Sequence, residues 1–286
     1  MPPDVSIRVM TARDIPDGLR LCRAARWNQT SADWEFFLSS APAGALVAEE
    51  RGSVIGSVAT LPYGAFTWVS MVLVDPEARG RGVGRLLLER GLALVPGHVT
   101  ARLDATPAGE PLYRTLGFAA EFALARWLLP ASARGSSRDE LHAYARPVAS
   151  GDWPAILQMD RHVFGASRQG LLERMAAEAP EYAWVLAHDG RVRAYLFGRH
   201  GHVREHLGPL VADTRESAQI LLHGCLDAHP GRTFFLDAPD RDDGWRDVLT
   251  DLGFAIERPF LRMHRGRLSA AGNPTVVYAV TGPEFG

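Results

Sequence analysis

The chain has 286 residues, of which 47% are hydrophobic and 22% charged, and its formal net charge is −2. The length predicts one large or two medium-sized domains, and the composition is typical of a soluble globular protein. The small net charge gives no reason to expect binding to nucleic acid or to anionic lipid, and no apolar run is long enough to span a membrane.

The sequence also bears on the cellular compartment, on metal binding and on the oligomeric state. The N-terminus lacks the pattern of a signal peptide, and Cys22 and Cys225 lie far apart in helix-like segments. We therefore expect buried thiols rather than a disulfide, in a reducing cytoplasm. His200, His202 and His206 share one segment, but their spacing matches no structural zinc pattern, so no metal is predicted. We expect a monomer or a homodimer.

The first part of the chain predicts the element order β-α-α-β-β-β-α-β-α-β. The strands are expected at Ile7–Val9, Leu46–Glu50, Val54–Leu61, Met71–Val74, Val99–Thr106 and Phe118–Leu129. The helices are expected at 16–26, from Ser31 as N-cap, around Leu86–Leu94 and at Glu110–Leu116. Arg51-Gly52-Ser53 predicts a hairpin between the second and third strands.

The stretch Ser70–Glu89 combines a buried strand, a glycine-rich loop and a helix. The first N–H groups of a helix have no partner, and glycines allow phosphate oxygens to approach them, so this pattern predicts an anion site. A Walker loop is excluded because the chain has no lysine, and a dinucleotide fingerprint is excluded because its third glycine comes one place early. The alternative is a tight turn that binds nothing.

This stretch resembles the acyl-CoA loop of the GNAT N-acetyltransferases, Arg/Gln-x-x-Gly-x-Gly/Ala, at Arg79, Gly82 and Gly84. The element order also matches the GNAT fold, a mixed α/β (α+β) sheet. The resemblance implies acetyl-CoA as co-substrate and no metal. It implies contacts with acetyl-CoA from Val72, Leu73, Val74, Arg79, Gly80, Arg81, Gly82, Val83, Gly84, Arg85 and Thr106.

The pattern then repeats after about 136 residues, which predicts a domain duplication. We expect a catalytic domain at 1–130, a linker at 131–141, a second GNAT-like domain at 142–268 and a tail at 269–286. The second copy has no glycine across Pro209–Ala218, and Leu249 stands where the first copy has Tyr113. This copy resembles the degenerate C-terminal domain of a bacterial tandem subgroup (YitH-like), so one acetyl-CoA site per chain is expected.

Two residues are candidates for the chemistry. Tyr113 matches the family motif in which a tyrosine is the general acid, because a phenol can protonate a leaving thiolate. Asp104 ends a strand on which some family members carry a catalytic base. However, Asp237 keeps the same Leu-Asp-Ala context in the copy that lost the loop and the tyrosine, which favours a structural role. A water relay is the alternative to Asp104.

The region between the first two predicted helices forms one wall of the acceptor pocket in the family that this chain resembles. Here it contains Trp27, Asn28 and Asp33. Tryptophan beside polar groups suits an amine with an apolar body, although packing or a helix's first turn also explains these residues. The function predicted is direct acetyl transfer to a small-molecule amine. The alternatives are a non-catalytic acyl-CoA sensor and a protein N-terminal or lysine acetyltransferase.

Overall fold

The computed structural model describes residues 5–132, 145–268 and 272–286. The strands and helices of the first half are β1 (Val5–Val9), α1 (Ile15–Ala24), α2 (Ser31–Ser40), β2 (Ala45–Glu50), β3 (Ser53–Pro62), β4 (Phe66–Val74), α3 (Val83–Leu92), β5 (Thr100–Ala105), α4 (Glu110–Thr115) and β6 (Ala119–Leu129). The predicted element order and the mixed α/β fold are confirmed.

The second half repeats this order and adds a final strand. Its elements are β7 (Ala145–Pro147), α5 (Trp153–Phe164), α6 (Gln169–Glu178), β8 (Trp184–His188), β9 (Arg191–Arg199), β10 (Glu205–Ala212), α7 (Arg215–Asp227), β11 (Phe234–Pro239), α8 (Asp243–Asp251), β12 (Ala255–Arg265) and β13 (Val277–Ala279). Most of the predicted linker, from 133 to 141, and tail residues 269–271 lie outside the described residues.

The two halves share the same local turn chemistry. Arg51-Gly52 in the first hairpin and Asp189-Gly190 in the second both have positive φ at two consecutive residues. Such turns match the right-handed twist of paired strands, so each produces a tight hairpin. One local prediction was wrong: α2 is capped by Thr30 rather than Ser31, because Thr30 forms a capping box with Asp33.

The strands of both halves form one continuous 13-stranded sheet. Its path is β1-β2-β3-β4-β5-β12-β6-β11-β10-β9-β8-β7, with β13 paired to β10. The last strand of each repeated unit is therefore exchanged: β12 pairs with β5 of the first half, and β6 pairs with β11 of the second. The two exchanged strands also pair with each other, in a register that includes Leu124 opposite Phe260.

Two buried ion pairs join each exchanged strand to its new neighbour. Arg126 on β6 donates to both carboxylate oxygens of Asp237 at 2.8 Å, and Arg262 on β12 does the same to Asp104 at 2.8 Å. All four side chains are at most 8% exposed. Bidentate pairing supplies the hydrogen bonds that such buried charges need, so the pairs specify which strands meet.

Apolar cores lie under the helices of both halves. One core combines Trp34 and Phe37 of the first half with Ile156 and Leu172 of the second, and Phe285 of the C-terminal segment packs into it. Other cores include α3 in the first half and α7 in the second. The halves are thus joined by shared side-chain packing as well as by the sheet. In the described residues, no helix is long and apolar enough to cross a membrane.

We expect the two halves to stay associated when the connection between them is cut. A protease site inserted within 133–141 should allow complete cleavage while the protein still elutes as one species, because strand exchange and the shared core do not depend on that peptide. Size-exclusion chromatography in native buffer measures this, with the uncut protein as control. Elution of two separate halves would contradict the strand exchange.

Candidate active site

A cleft opens in the first half where two parallel strands separate. β4 and β5 pair at Phe66–Trp68 and 100–102, and no pairing between them continues toward their carboxyl ends in the described sheet. The resulting cleft of ≈ 730 Å³ continues along the glycine-rich loop and α4. Ligands of open α/β sheets bind at such carboxyl ends, where strand polar groups become accessible.

A β-bulge shapes the β4 wall of this cleft. Ser57 is opposite Leu73 and Ala59 is opposite Ser70, so β4 contains one more residue than β3 over this interval. Met71 within the bulge has φ of 53°, and its carbonyl oxygen accepts a hydrogen bond of 2.8 Å from Ser57 Oγ. A bulge redirects the backbone locally, and here Val72 follows it and lines the cleft.

The glycine-rich loop ends at an open helix N-terminus. Gly80 and Gly82 have φ of 73° and 83°, which favours glycine, and Gly82 is the N-cap of α3 without a side-chain cap. The first backbone bond of the helix runs from the Leu86 N–H to the Gly82 carbonyl, so the N–H groups of residues 83–85 precede the helical ladder. This arrangement suits an anionic group such as a pyrophosphate.

The predicted acetyl-CoA contacts gather at this cleft with one exception. Those that line it are Val72, Leu73, Val74, Arg79, Gly80, Gly82, Val83, Gly84, Arg85 and Thr106. The side chain of Arg81 instead pairs with Glu50 on β2. The contact expected of Arg81 is through its backbone N–H group, and it stays a prediction.

Tyr113 lies on α4 beside the cleft, against Phe118 with ring centroids 5.9 Å apart. Burial raises the pKa of Tyr113 to about 12, so the hydroxyl remains protonated at neutral pH. Nothing in the sequence assigned Gly109 to this site, but a side chain there would crowd the tyrosine. A Cβ at Gly109 would lie 2.9 Å from Tyr113 Cε2. The absence of a side chain at Gly109 leaves room for the tyrosine.

Asp104 also lines the cleft, but both of its carboxylate oxygens accept hydrogen bonds from Arg262. Burial raises the pKa of Asp104, whereas the Arg262 guanidinium lowers it. The equivalent Asp237 has the same kind of partner in Arg126. Retention of the aspartate in both copies is thus explained by strand exchange, which supports a structural role for Asp104.

A smaller cavity adjoins the cleft, and the two share Trp27, Val72, Asp104, Thr106, Tyr113 and Arg258. Residues from three parts of the chain line it: Trp27, Gln29, Val69, Ser70, Met71 and Arg126 in the first half, Arg258 and Phe260 on β12, and Pro283 and Glu284 near the C-terminus. The strand exchange and the C-terminal segment therefore complete the walls of this cavity.

Hydrogen bonds hold the C-terminal segment against the first half. Trp68 Nε1 donates to the Pro283 carbonyl at 2.9 Å, and Tyr63 Oη donates to the Phe285 carbonyl at 2.9 Å. Glu284 is 3% exposed and pairs with Arg199. The predicted tail is thus an integral wall of the cavity rather than a peripheral extension.

The structure separates the three predicted acceptor-binding residues. Trp27 lines the cavity, whereas Asn28 and Asp33 are not among the described residues that line it. Asn28 donates to the Arg204 carbonyl and accepts from the Val203 N–H at 2.9 Å. Asp33 caps α2 and pairs with Arg199 at 2.8 Å. This corrects the expected positions of Asn28 and Asp33, whose polar atoms instead join the two halves.

Several lining residues carry no signal in the sequence. Gln29 and Ser70 are 6% and 7% exposed, and Gln29 Oε1 and Ser70 Oγ have no hydrogen-bond partner in the described part of the chain. Arg258 and Glu284 also line the cavity, although they lie more than a hundred positions along the sequence from the lining residues of the first half. A local motif cannot predict such contacts, because they depend on how the second half and the C-terminus fold back.

The corresponding region of the second half is filled by the protein itself. β10 and β11 pair at Glu205–His206 and 234–235, and β13 then pairs with β10 while Val280 bridges to Asp237 on β11. The α7 N-terminus is capped by Thr214, whose side chain accepts from the Ser217 N–H at 3.1 Å. The second half thus closes, with its own backbone and a capping side chain, the gap and the helix start that the first half leaves open.

No cysteine or histidine of the described residues lines the cleft or the cavity. Cys22 and Cys225 are buried thiols rather than a disulfide, and burial raises the pKa of Cys22 to about 12. His206 is buried and stacked on Phe235, and burial lowers its pKa well below the usual value, so the ring is neutral. The described residues contain no group of three His, Cys, Asp or Glu side chains able to hold a metal ion.

Two models of the acetyltransferase (GNAT) domain match the chain, one over residues 41–120 and the other over residues 156–279. Each match falls within one half of the duplicated sequence. Both halves are thus similar to the same domain family, including the half without the glycine-rich loop.

Proteins of similar length and fold support this match. The chain is 24% identical to the uncharacterized N-acetyltransferase YitH of Bacillus subtilis over 204 residues, which are 71% of each chain. A candidate acetyltransferase structure from Pyrococcus horikoshii is similar with a TM-score of 0.84, 22% identity and coverage of 100% and 97% of the two chains. A tandem GNAT protein from the clavulanic acid biosynthesis pathway has a TM-score of 0.62, 17% identity and coverage of 91% and 98%.

Proposed function

Because this chain belongs to the GNAT acetyltransferase family and contains two of its domains, we propose that its first half transfers acetyl from acetyl-CoA directly to a small-molecule primary amine. The observation that carries the proposal is the continuity between the glycine-loop cleft and the enclosed cavity, with Tyr113 lining both. Such continuity allows a thioester in the cleft to meet an amine in the cavity.

The cleft has the groups that acetyl-CoA needs. The open N–H groups at the start of α3 would bind its pyrophosphate, and the β4 backbone after the bulge would lie along its pantetheine arm. Acetyl-CoA supplies an activated acetyl thioester. Backbone N–H groups near Val72 would polarise the thioester oxygen, because preorganised donors stabilise negative charge that develops there.

The reaction needs two proton transfers, one to the leaving sulfur and one from the attacking amine. Tyr113 keeps its proton and would donate it from Oη to the leaving sulfur. Asp104 is paired with Arg262, so loss of the proton from the amine through water is the route we favour. A covalent enzyme intermediate on Cys22 is disfavoured because its buried thiol has a raised pKa.

The size of the cavity supports a small acceptor. Its free space is narrow, and Pro283 and Glu284 form part of its wall. A protein N-terminus or lysine would require an open groove at this place. A non-catalytic sensor would have no use for a protonated tyrosine between the cleft and a second cavity.

We expect Gly82→Ala to weaken acetyl-CoA binding at least about tenfold, because a Cβ strains the positive φ of the loop and disturbs the helix start. Gly64→Ala is the matched control, since Gly64 has φ of 78° and open space around it, away from the cleft. Isothermal titration should give one site per chain in the wild type. Two sites, or equal affinity losses in both variants, would contradict the assignment.

We expect Tyr113→Phe to lower kcat by about 10²-fold or more with little change in acetyl-CoA affinity, since it removes the proton donor and keeps the ring. The pKa of about 12 predicts that Tyr113 causes no fall in rate up to about pH 10. Steady-state kinetics from pH 6 to 10 measure both effects, with Tyr278→Phe as control. An unaltered rate in Tyr113→Phe would remove its assigned role.

We expect Asp104→Asn and Asp237→Asn each to lower the free energy of unfolding by about 3 kcal/mol, because each leaves a buried arginine without its counter-ion. The rate per folded Asp104→Asn molecule should remain within about tenfold of the wild type, as for a residue that is not a base. Denaturant unfolding and CoA release measure the two quantities. A much larger rate loss for Asp104→Asn than for Asp237→Asn would restore Asp104 as the base.

A further inference from the structure

Four charged residues line the cavity beside Tyr113: Asp104, Arg126, Arg258 and Glu284. Three of them have a counter-ion. Asp104 pairs with Arg262, Arg126 pairs with Asp237, and Glu284 pairs with Arg199. The charge of Arg258 therefore requires a separate explanation.

Arg258 has no ion pair or hydrogen bond to its side chain within the described residues, and its buried Nε has no partner. Its guanidinium carbon lies 5.0 Å from the Phe260 ring centroid, and the adjacent Glu257 pairs with Arg204 instead. Burial and the nearby Arg126 lower the pKa of Arg258 to about 10, so it still carries a positive charge at neutral pH. A partly buried cation thus lines the cavity. Asp237 and Glu257 favour its charge through space, but no carboxylate of the described residues pairs with it.

Burying an uncompensated charge is unfavourable, and a planar guanidinium is well suited to bind a carboxylate through two hydrogen bonds. We propose that the acceptor is an amino acid whose carboxylate is bound by Arg258. This inference rests on the proposed transfer to a small-molecule amine and names the class of that amine. The carboxylate would supply the counter-ion that Arg258 lacks.

The other polar groups of the cavity suit the amine end of the same molecule. Gln29 Oε1 and Ser70 Oγ are buried and without partners in the described residues, and Glu284 adds a carboxylate to the wall. These oxygens can accept hydrogen bonds from an amine or ammonium group. A site with one uncompensated cation and several free acceptors is complementary to a molecule that carries both an acid and an amine.

The position of Arg258 argues against a phosphate of acetyl-CoA as its partner. Arg258 lines both the cleft and the cavity, as Asp104 and Tyr113 do, whereas the glycine-loop residues line the cleft and not this cavity. The expected pyrophosphate site has its own donors at the start of α3. Arg258 lies where the cleft and the cavity meet, beside the residues expected to act on the acetyl group.

The test compares free amino acids with their amides, which keep the side chain and the amine and lose the carboxylate. CoA release should give the wild type a kcat/KM at least about tenfold higher for the preferred acid than for its amide. Arg258→Gln should remove this preference by lowering kcat/KM for the acid and leaving that for the amide nearly unchanged. Arg258→Lys should restore part of it, and Arg191→Gln, an exposed charge on β9, should behave as the wild type.

Equal use of acids and amides by the wild type would overturn the inference and leave the acetyltransferase proposal intact. A fall in acetyl-CoA affinity in Arg258→Gln with an unchanged acid preference would also overturn it, because Arg258 would then serve acetyl-CoA. If no amine is acetylated, the proposed function fails. Binding of amino acids to the protein then tests the role of Arg258 separately. Amino acids but not amides should then raise the melting temperature of the CoA-bound wild type and not that of Arg258→Gln; absence of this difference would overturn it.

Discussion

The exchange of β6 and β12 at the centre of the sheet is the constraint on which the other features of this protein depend. Each strand completes the sheet of the opposite half, and the buried pairs Arg126–Asp237 and Arg262–Asp104 join it to its new neighbour. Because a buried charge without its partner is costly, these pairs favour one pairing of strands over the alternatives. The exchange also brings Arg258 to the cavity of the first half.

The two halves have kept the same fold and diverged in what their clefts contain. In the first half, β4 and β5 separate and the helix after the glycines has an open N-terminus. In the second half, β13 fills the equivalent gap and Thr214 satisfies the helix start. A cleft filled by the chain's own backbone stabilises the sheet there, and the residues after β13 continue to the cavity of the first half. Closure of the gap in the second half thus accompanies formation of the cavity in the first half.

Charge balance inside the cavity follows from this arrangement. Most charges that line it are neutralised: Asp104 and Arg126 by partners from the other half, and Glu284 by Arg199. Low exposure strengthens the electrostatic attraction within such pairs and makes a buried polar group without a partner costly in free energy. Within the described residues, Arg258 Nε, Gln29 Oε1 and Ser70 Oγ are buried without hydrogen-bond partners, and they are therefore available to a ligand.

The sequence by itself determined the local elements: the hairpin at Arg51-Gly52, the strand, loop and helix around Gly82, and the position of Tyr113 on α4. Such features depend on residues close in sequence, whose backbone preferences and periodicity are visible there. The tertiary structure decided the exchange of β12, the insertion of β13 and the partners of Asn28 and Asp33. A strand's pattern shows which face is buried but not which strand lies beside it, so contacts between distant segments cannot be read from local spacing.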